Sequence, residues 1–393
     1  MSLFPTYVRH NVRFLKGNGA VLEDDQGKTY LDFASGIGVT NLGHNHPRIK
    51  QALLDQAEAV WHTSNLFQVP AQEKAAQRLT RLTGLGAVFF CNSGAEANEA
   101  AIKLARKWAQ EAKVISEPEI ITFQGSFHGR TLATLTATGQ DKVKHGFSPL
   151  PRGFRTVPFG DLEAVKQATG ATTAAVLLEL VQGEGGVRPA DPDFIEGLSA
   201  WCKEKEILLM VDEVQTGIGR TGAAFAFQTY GLKPDVITAA KGLGNGFPIG
   251  AMIAREELKP VLGPGTHGTT FGGNPLATAV AAAVLAELEE TPILEETKAK
   301  GELFARLLTD ELSGLPGMVS VRVKGLMAGV EFDQPVAPII TALLGKGLVT
   351  LPAGEKVLRL LPPLIVTEDQ IRRAVHLIKQ TCLERFEPAG SGR

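Results

Sequence analysis

Lys241 ends the apolar run Val236 to Ala240 and is followed by Gly242, Gly244 and Gly246. A lysine at a strand end can snorkel to solvent, but glycines at alternate positions let backbone approach a ligand closely. A desolvated amine in such a place is a candidate Schiff-base nucleophile with a lowered pKa. Asp212 closes a second apolar run in LLMVDEVQTG, with Val214 on its strand face and Glu213 pointing the other way. A carboxylate there is costly without a cationic partner. A structural aspartate capping a loop is the plainer alternative.

Two further junctions carry unusual residues. In FFCNSGAEANEAAIK a strand, a turn and a helix follow one another. Ser93 and Glu96 form a capping box, which alone would explain them. A helix N-terminus with free N–H groups, a hydroxyl and Gly94 is also a ready phosphate site. In GSFHGRT, Phe127 and Arg130 could merely pack and face solvent; together they offer a ring to stack on a planar cofactor and a fork for a carboxylate. A Schiff-base lysine, an aspartate for a protonated ring nitrogen, a phosphate cradle and a stacking ring are the parts that pyridoxal phosphate requires.

These residues need a scaffold that gathers strand ends. Seven short β-rich runs, AVFF, EIITF, FRTVPF, AAVLLEL, ILLMVDEV, DVITAA and IGAMIA, alternate with helix-length spacers. Continuous apolar runs of this kind predict an α/β core with a largely parallel sheet of about seven strands, covered on both faces. In the spacer after Ser93, Ala97, Ala101, Leu104 and Trp108 recur on one helical face. Beyond residue 276, VSVRVKG, MAGVEF and VLRLLPPLIV read as strands, and TEDQIRRAVHLIKQTCLERF as a closing helix begun by a Thr-x-x-Gln capping box. AVLEDDQGKTYLDF suits a hairpin around Asp-Gln-Gly, packed on that C-terminal part. The expected division is a large cofactor-binding domain over residues 50–285 and a smaller α+β domain built from 1–49 and 286–393.

Composition narrows the function classes. The 393 residues, 44% of them hydrophobic, can bury a large core. Forty basic and 42 acidic residues leave a net charge of −2, which gives no footprint for nucleic acid. Cys91, Cys202 and Cys382 are odd in number and far apart, fitting a reducing compartment. The start MSLFPTYVRHNVRF lacks signal-peptide character and AVAAAVLA is too short to span a bilayer, so the expectation is a soluble, cytoplasmic protein without membrane partners. His44 and His46 in GHNHP lack third and fourth ligands nearby, and no metal is expected. Gly242 to Gly246 does not follow G-x-G-x-x-G, which disfavours a dinucleotide loop.

NSGAEANEAAIK, SFHGRT, VQGEGG, VDEVQTGIGRTG, AAKGLGNGFPIGA and HGTTFGGNPLA together resemble the class III pyridoxal-phosphate aminotransferases, from about Tyr7 to Phe386. The resemblance implies a fold-type I transferase in which Lys241 holds the cofactor aldehyde and Asp212 the pyridine nitrogen. Gln215 would lie near the ring oxygen, Phe127 and Val214 would flank the ring, and Ser93, Gly94 and Ala95 would bind the phosphate. Thr270 matches a threonine that reaches the phosphate of the partner subunit, implying a homodimer with shared active sites. LDFASGIGVTNLGHNHP, HGTTFGGNPLATAV, GLMAGVEF and VLRLLPPLIVT are similar to the acetylornithine aminotransferases within this class.

That narrower resemblance implies transfer of the terminal amine of N2-acetylornithine to 2-oxoglutarate, in arginine biosynthesis. Arg130 would bind the donor's α-carboxylate and Thr269 contact substrate. Arg359 would receive the α-carboxylate of glutamate or 2-oxoglutarate, masked in the other half-reaction by Glu184. Glu179-Leu180 departs from the Glu-Pro common in the class, and Ile37 stands where ornithine aminotransferases carry tyrosine, which favours an acylated donor. Succinylornithine, ornithine and 4-aminobutyrate also present terminal amines. A non-catalytic protein that sequesters the cofactor would have no need of Arg130, Arg359 and Glu184, and a mutase or decarboxylase would need no second keto acid.

Overall fold

A computed structural model describes residues 2–386. All seven apolar runs become strands of one central sheet. Their spatial order is Ala87–Cys91, Gly250–Ala254, Val236–Ala239, Leu208–Asp212, Thr173–Leu178, Glu119–Phe123 and Phe154–Val157. Gly250–Ala254 runs antiparallel to both neighbours, and the remaining pairings are parallel. The strands Thr173–Leu178, Leu208–Asp212 and Val236–Ala239 are buried at every position, which is why no polar alternation marks them in sequence.

Side chains leave the two faces alternately. Ile120, Leu177, Met210 and Val236 pack with Ile102 and Leu104 of the helix Gly94–Ala112. Ile121, Val176, Val211 and Ile237 meet Phe194, Ile195 and Leu198 of the helix Pro192–Glu204 on the other face. Within Gly94–Ala112, Ala97, Ala101 and Leu104 are buried and Trp108 half-buried, so the expected apolar stripe does face the sheet.

Two smaller four-stranded sheets flank this core. Phe14–Asn18, Val21–Asp24 and Thr29–Asp32 form a meander joined by Leu348–Val349, which runs parallel to Thr29–Asp32. At its Asp-Gln-Gly turn the Asp24 carboxylate accepts the N–H groups of Gln26 and Lys28, both at 2.9 Å. Met318–Lys324, Met327–Phe332, Val357–Leu360 and Leu351–Ala353 form the other sheet. The closing helix Glu368–Phe386 begins with both halves of the expected capping box, Thr367 N–H to Gln370 at 3.0 Å and Gln370 N–H to Thr367 at 3.2 Å.

Arg220 ties these parts together. It is fully buried and donates to the Leu326 carbonyl at 2.9 Å, to Asn41 Oδ1 at 2.7 Å and to the Pro362 carbonyl. Burial pushes its pKa down to about 9, the expected cost of desolvating a charge. Three chain segments thereby hold the loop after Asp212 and the end of the strand that carries Arg359.

Among the described residues, no helix is long and apolar enough to cross a membrane. No group of three or more His, Cys, Asp or Glu there could hold a metal ion. His44 Nε2 lies 2.8 Å from Asp32 Oδ2, and His46 precedes the helix Pro47–Ala59 with proline in its first turn.

Candidate active site

Parallel strands bring their C-terminal ends to one edge of the sheet, and there a cavity of about 470 Å³ opens. Its lining includes Ser93, Phe127, Glu179, Asp212, Gln215 and Lys241, contributed by five strand ends and the loops that follow them. Gly94, Ala95, Arg130, Glu184 and Val214 line it as well. The start of the antiparallel strand is forced against the same edge: a Cβ on Gly250 would lie 2.3 Å from the Ser93 carbonyl.

Lys241 leaves its strand with a positive φ of 45° and opens a 3-10 turn, Lys241–Gly244. Gly242 is required behind it, since a Cβ there would meet Asn41 Nδ2 at 2.4 Å. Burial first, and then the positive charge of Arg359, pushes the Lys241 pKa down to about 8, against the opposing pull of Glu184, Glu179 and Asp212. The amine is therefore much closer to its neutral, nucleophilic form than an ordinary lysine.

Asp212 is 3% exposed. Its Oδ2 accepts from Asn98 Nδ2 at 2.7 Å and lies 2.8 Å from His128 Nδ1. Among the described residues Oδ1 accepts only the Val214 N–H, at 3.0 Å. Oδ2 has thus used both lone pairs, while Oδ1 retains accepting capacity. Thr238 holds Asn98 in turn, donating to its Oδ1 at 2.7 Å. Glu179 is buried beside this group and accepts the Phe127 N–H at 2.9 Å. Burial raises its pKa, Asp212 adds to the rise and His128 opposes it.

At the helix Gly94–Ala112, Ser93 Oγ accepts the Glu96 N–H at 3.2 Å. The other half of the expected capping box is displaced by one residue, because Glu96 Oε2 takes the Asn92 N–H at 2.7 Å. The Gly94 and Ala95 N–H groups have no acceptor within the helix, as its geometry dictates. A Cβ on Gly94 would lie 2.7 Å from Val214 Cγ1, so glycine is what lets Val214 stand close to this turn. An anion cradle, a flat ring neighbour, a carboxylate with a spare lone pair and a low-pKa amine facing one cavity fit the donor set of pyridoxal phosphate.

The two arginines expected to bind carboxylates differ in placement, since Arg130 lines the cavity and Arg359 does not. Arg130 is exposed and sits 5.6 Å from the Phe127 ring centroid. Arg359 is 2% exposed and does not line the cavity; its Nη1 donates to Glu184 at 2.6 Å and to Gln215 at 3.2 Å. Thr269 also stays out of the lining but accepts from Asn92, which lines it, at 3.3 Å. Thr270 is exposed and does not reach the cavity of its own chain. Ile37 occupies a run of positive φ from Ser35 to Gly38, with φ of 70° at Ile37 itself. Such a conformation is an outlier for a β-branched residue; this turn is pinned by Ser35 Oγ donating to the Leu361 carbonyl at 2.6 Å.

Sequence reasoning missed His128, Asn98 and the contact of Glu179 with Phe127. His128 stands beside Phe127 in GSFHGRT, yet its partner is 84 residues away.

The family profile "Aminotransferase class-III" matches residues 5–382. The acetylornithine aminotransferase of Bacillus subtilis (strain 168) is 52% identical over 381 residues, covering 96% of this chain and 97% of the relative. That of Oceanobacillus iheyensis is 48% identical, covering 98% and 96%. Among solved structures, the ornithine aminotransferase from Toxoplasma gondii ME49 superposes with a TM-score of 0.95 at 34% identity, covering 98% of this chain and 93% of that one. The acetylornithine aminotransferase from Elizabethkingia anophelis gives 0.88 at 35% identity, covering 97% and 96%. Backbone shape is shared across donor specificities, and the chain belongs to the class III aminotransferase family.

Proposed function

We propose that this chain is an acetylornithine aminotransferase, moving the terminal amino group of N2-acetyl-L-ornithine to 2-oxoglutarate with pyridoxal phosphate as cofactor. The observation that carries the reading is Lys241, with a pKa of about 8, opening onto the same cavity as Asp212. When bound, pyridoxal phosphate supplies an aldehyde that takes up an amino group and a ring that withdraws electrons from the carbon bearing it. Ser93, Gly94 and Ala95 would hold the phosphate, Phe127 and Val214 would flank the ring, and Gln215 would lie near the ring oxygen. Asp212, whose Oδ1 retains accepting capacity, would keep the ring nitrogen protonated.

Lys241 would hold the cofactor until the donor's amine takes its place. The freed amine would take a proton from the donor's δ-carbon as general base and, as the acid so formed, deliver it to the carbon that carried the aldehyde, so that the δ-carbon is oxidised as the cofactor is reduced. Arg130 orients the donor by its α-carboxylate, with Thr269 contacting substrate. In the second half-reaction Glu184 leaves Arg359, which takes the α-carboxylate of 2-oxoglutarate. The products are N-acetyl-L-glutamate 5-semialdehyde and L-glutamate. Acetylated ornithine as donor is favoured by the 52% and 48% identity, over nearly the whole chain, to the acetylornithine aminotransferases of Bacillus subtilis and Oceanobacillus iheyensis, and by Ile37.

Residues 50–285 are read as the cofactor-holding domain, and 1–49 with 286–393 as the smaller domain that contributes Arg359. A homodimer is supported by the exposed apolar residues Trp61, Leu66, Phe67 and Phe271 beside Thr270, a patch a monomer would rarely leave in water. Thr270 then serves the partner's phosphate site. Three buried, unpaired cysteines fit a reducing, cytoplasmic setting.

The test is the visible spectrum of cofactor-loaded protein, mixed separately with N2-acetylornithine, succinylornithine, ornithine and 4-aminobutyrate. Fastest bleaching of the yellow lysine-linked form by N2-acetylornithine is expected. Faster bleaching by another amine would overturn the donor assignment and leave the transaminase reading intact. Replacing Glu184 with alanine is expected to slow the acetylornithine half-reaction by about 10- to 100-fold, the worth of one hydrogen bond between charged groups. Single-turnover kinetics would measure it, with the 2-oxoglutarate half-reaction as reference.

A further inference from the structure

Glu184 sits at the tip of a short hairpin whose arms pair Val181 with Pro189 and Gln182 with Arg188. The hairpin's root is apolar: Val181 and Val187 are fully buried in a cluster with Met327, Val357 and Leu361. Gly186 and Val187 carry positive φ values of 105° and 50°, and the latter is strained for a β-branched residue. This backbone turns two successive carbonyls toward Arg322, on the strand Met318–Lys324. Arg322 Nη2 donates to the Gly186 carbonyl at 2.8 Å, and Nε is shared between the carbonyls of Gly186 and Val187 at 3.1 and 3.2 Å. Its Nη1 is committed to Glu331 at 2.5 Å and Ser320 at 2.7 Å. The fork is thus oriented from behind by a carboxylate, and in front it grips only the arm that returns from Glu184.

On the other side of Glu184 the tip has no slack. A Cβ on Gly183 would lie 2.2 Å from Gln215 Oε1, and one on Gly185 would lie 2.7 Å from the Gly125 carbonyl. Glu184 itself is 30% exposed in its side chain, against 3% for Arg359. It lines both the active cavity and a neighbouring one bordered by Lys142, Arg188 and Lys356. Its carboxylate therefore has space to rotate into while its backbone is clamped.

We infer that Arg322 is a positioning residue for the Glu184–Arg359 pair: it fixes the hairpin so that Glu184 changes partner by side-chain rotation on a rigid base. This rests on the proposed masking of Arg359 by Glu184. Loosening the base lowers the population of the masked state, which favours any ligand that needs Arg359 free and penalises the donor that needs it masked. The apparent affinity for such a ligand rises in proportion to the competent fraction.

The test uses the cofactor-loaded protein and Arg322→Gln, with Glu184→Ala as reference. Glutarate, a dicarboxylate with no keto group to react, is titrated by calorimetry, and the two half-reactions are followed separately. Arg322→Gln is expected to tighten glutarate by about three- to tenfold. It should slow the acetylornithine half-reaction by a similar factor, while 2-oxoglutarate keeps its saturated rate and reaches half-saturation at a correspondingly lower concentration. A purely structural role would depress both half-reactions together, and that result, or no change in either, would overturn the inference. If Arg322→Gln does not fold, Arg322→Lys and Glu331→Gln carry the comparison, with the same direction expected and the same null result contradicting it. Should Glu184→Ala itself leave glutarate affinity unmoved, the masking reading fails and this inference with it.

Discussion

Replacing Lys241 with alanine is expected to lower turnover by about 10⁴-fold, since in the proposed reaction one amine supplies both the covalent hold on the cofactor and the proton transfer. The fold should survive, because the side chain lines a cavity and the turn it opens is held by backbone bonds, Leu243 N–H to the Ala240 carbonyl at 2.9 Å and Asn245 N–H to the Gly242 carbonyl at 3.1 Å. The stability effect has a definite sign. A lysine whose pKa falls from 10.5 to about 8 on folding destabilises the unloaded chain. That cost is fully present below pH 8 and disappears as pH rises to 10.5, where the unfolded lysine also loses its proton. Lys241→Met, which keeps the volume without the charge, should therefore stabilise the unloaded protein at pH 7 by up to about 3 kcal/mol. Urea unfolding at several pH values checks this: the gap between variant and parent must close between pH 8 and 10.5. A gap that widens there would place the amine in a different environment.

Asp212→Ala is the second large effect. It is expected to slow proton transfer at the donor's δ-carbon by about 10²- to 10⁴-fold, while cofactor affinity changes much less, because the phosphate turn and flanking side chains stay in place. A donor deuterated at the δ-carbon should then show a full isotope effect on single turnovers. Loss of cofactor affinity with normal proton transfer would contradict the role given to this carboxylate. Stability should fall too, since His128 and Asn98 both spend a hydrogen bond on Asp212 Oδ2, and a buried polar group left without its partner costs about 1–3 kcal/mol.

Much of the framework was legible because burial is written in runs of residues. Each of the seven central strands coincides with one apolar run, and each candidate at a strand end sits at the shared edge of the sheet. The reversed direction of Gly250–Ala254 was not legible, because a strand buried on both faces has the same composition in either orientation. The two-residue strands Val181–Gln182 and Arg188–Pro189 leave no periodicity to read. Long-range side-chain networks were equally hidden. Nothing local in GSFHGRT joins His128 to Asp212, and nothing in VSVRVKG marks Arg322 as the clamp on the Glu184 hairpin. Thr270 is different again: its own chain leaves it exposed, and only the resemblance to a dimeric family gave it a role.

The most direct measurement of the central claim is chemical. Borohydride reduction of the protein loaded with pyridoxal phosphate fixes the cofactor to whichever lysine holds it, and peptide mass spectrometry then locates the label. The account predicts one phosphopyridoxyl group, on the peptide containing Lys241, lost when N2-acetylornithine is added before reduction. Label on any other lysine, or none on a protein that has taken up the cofactor, would contradict it.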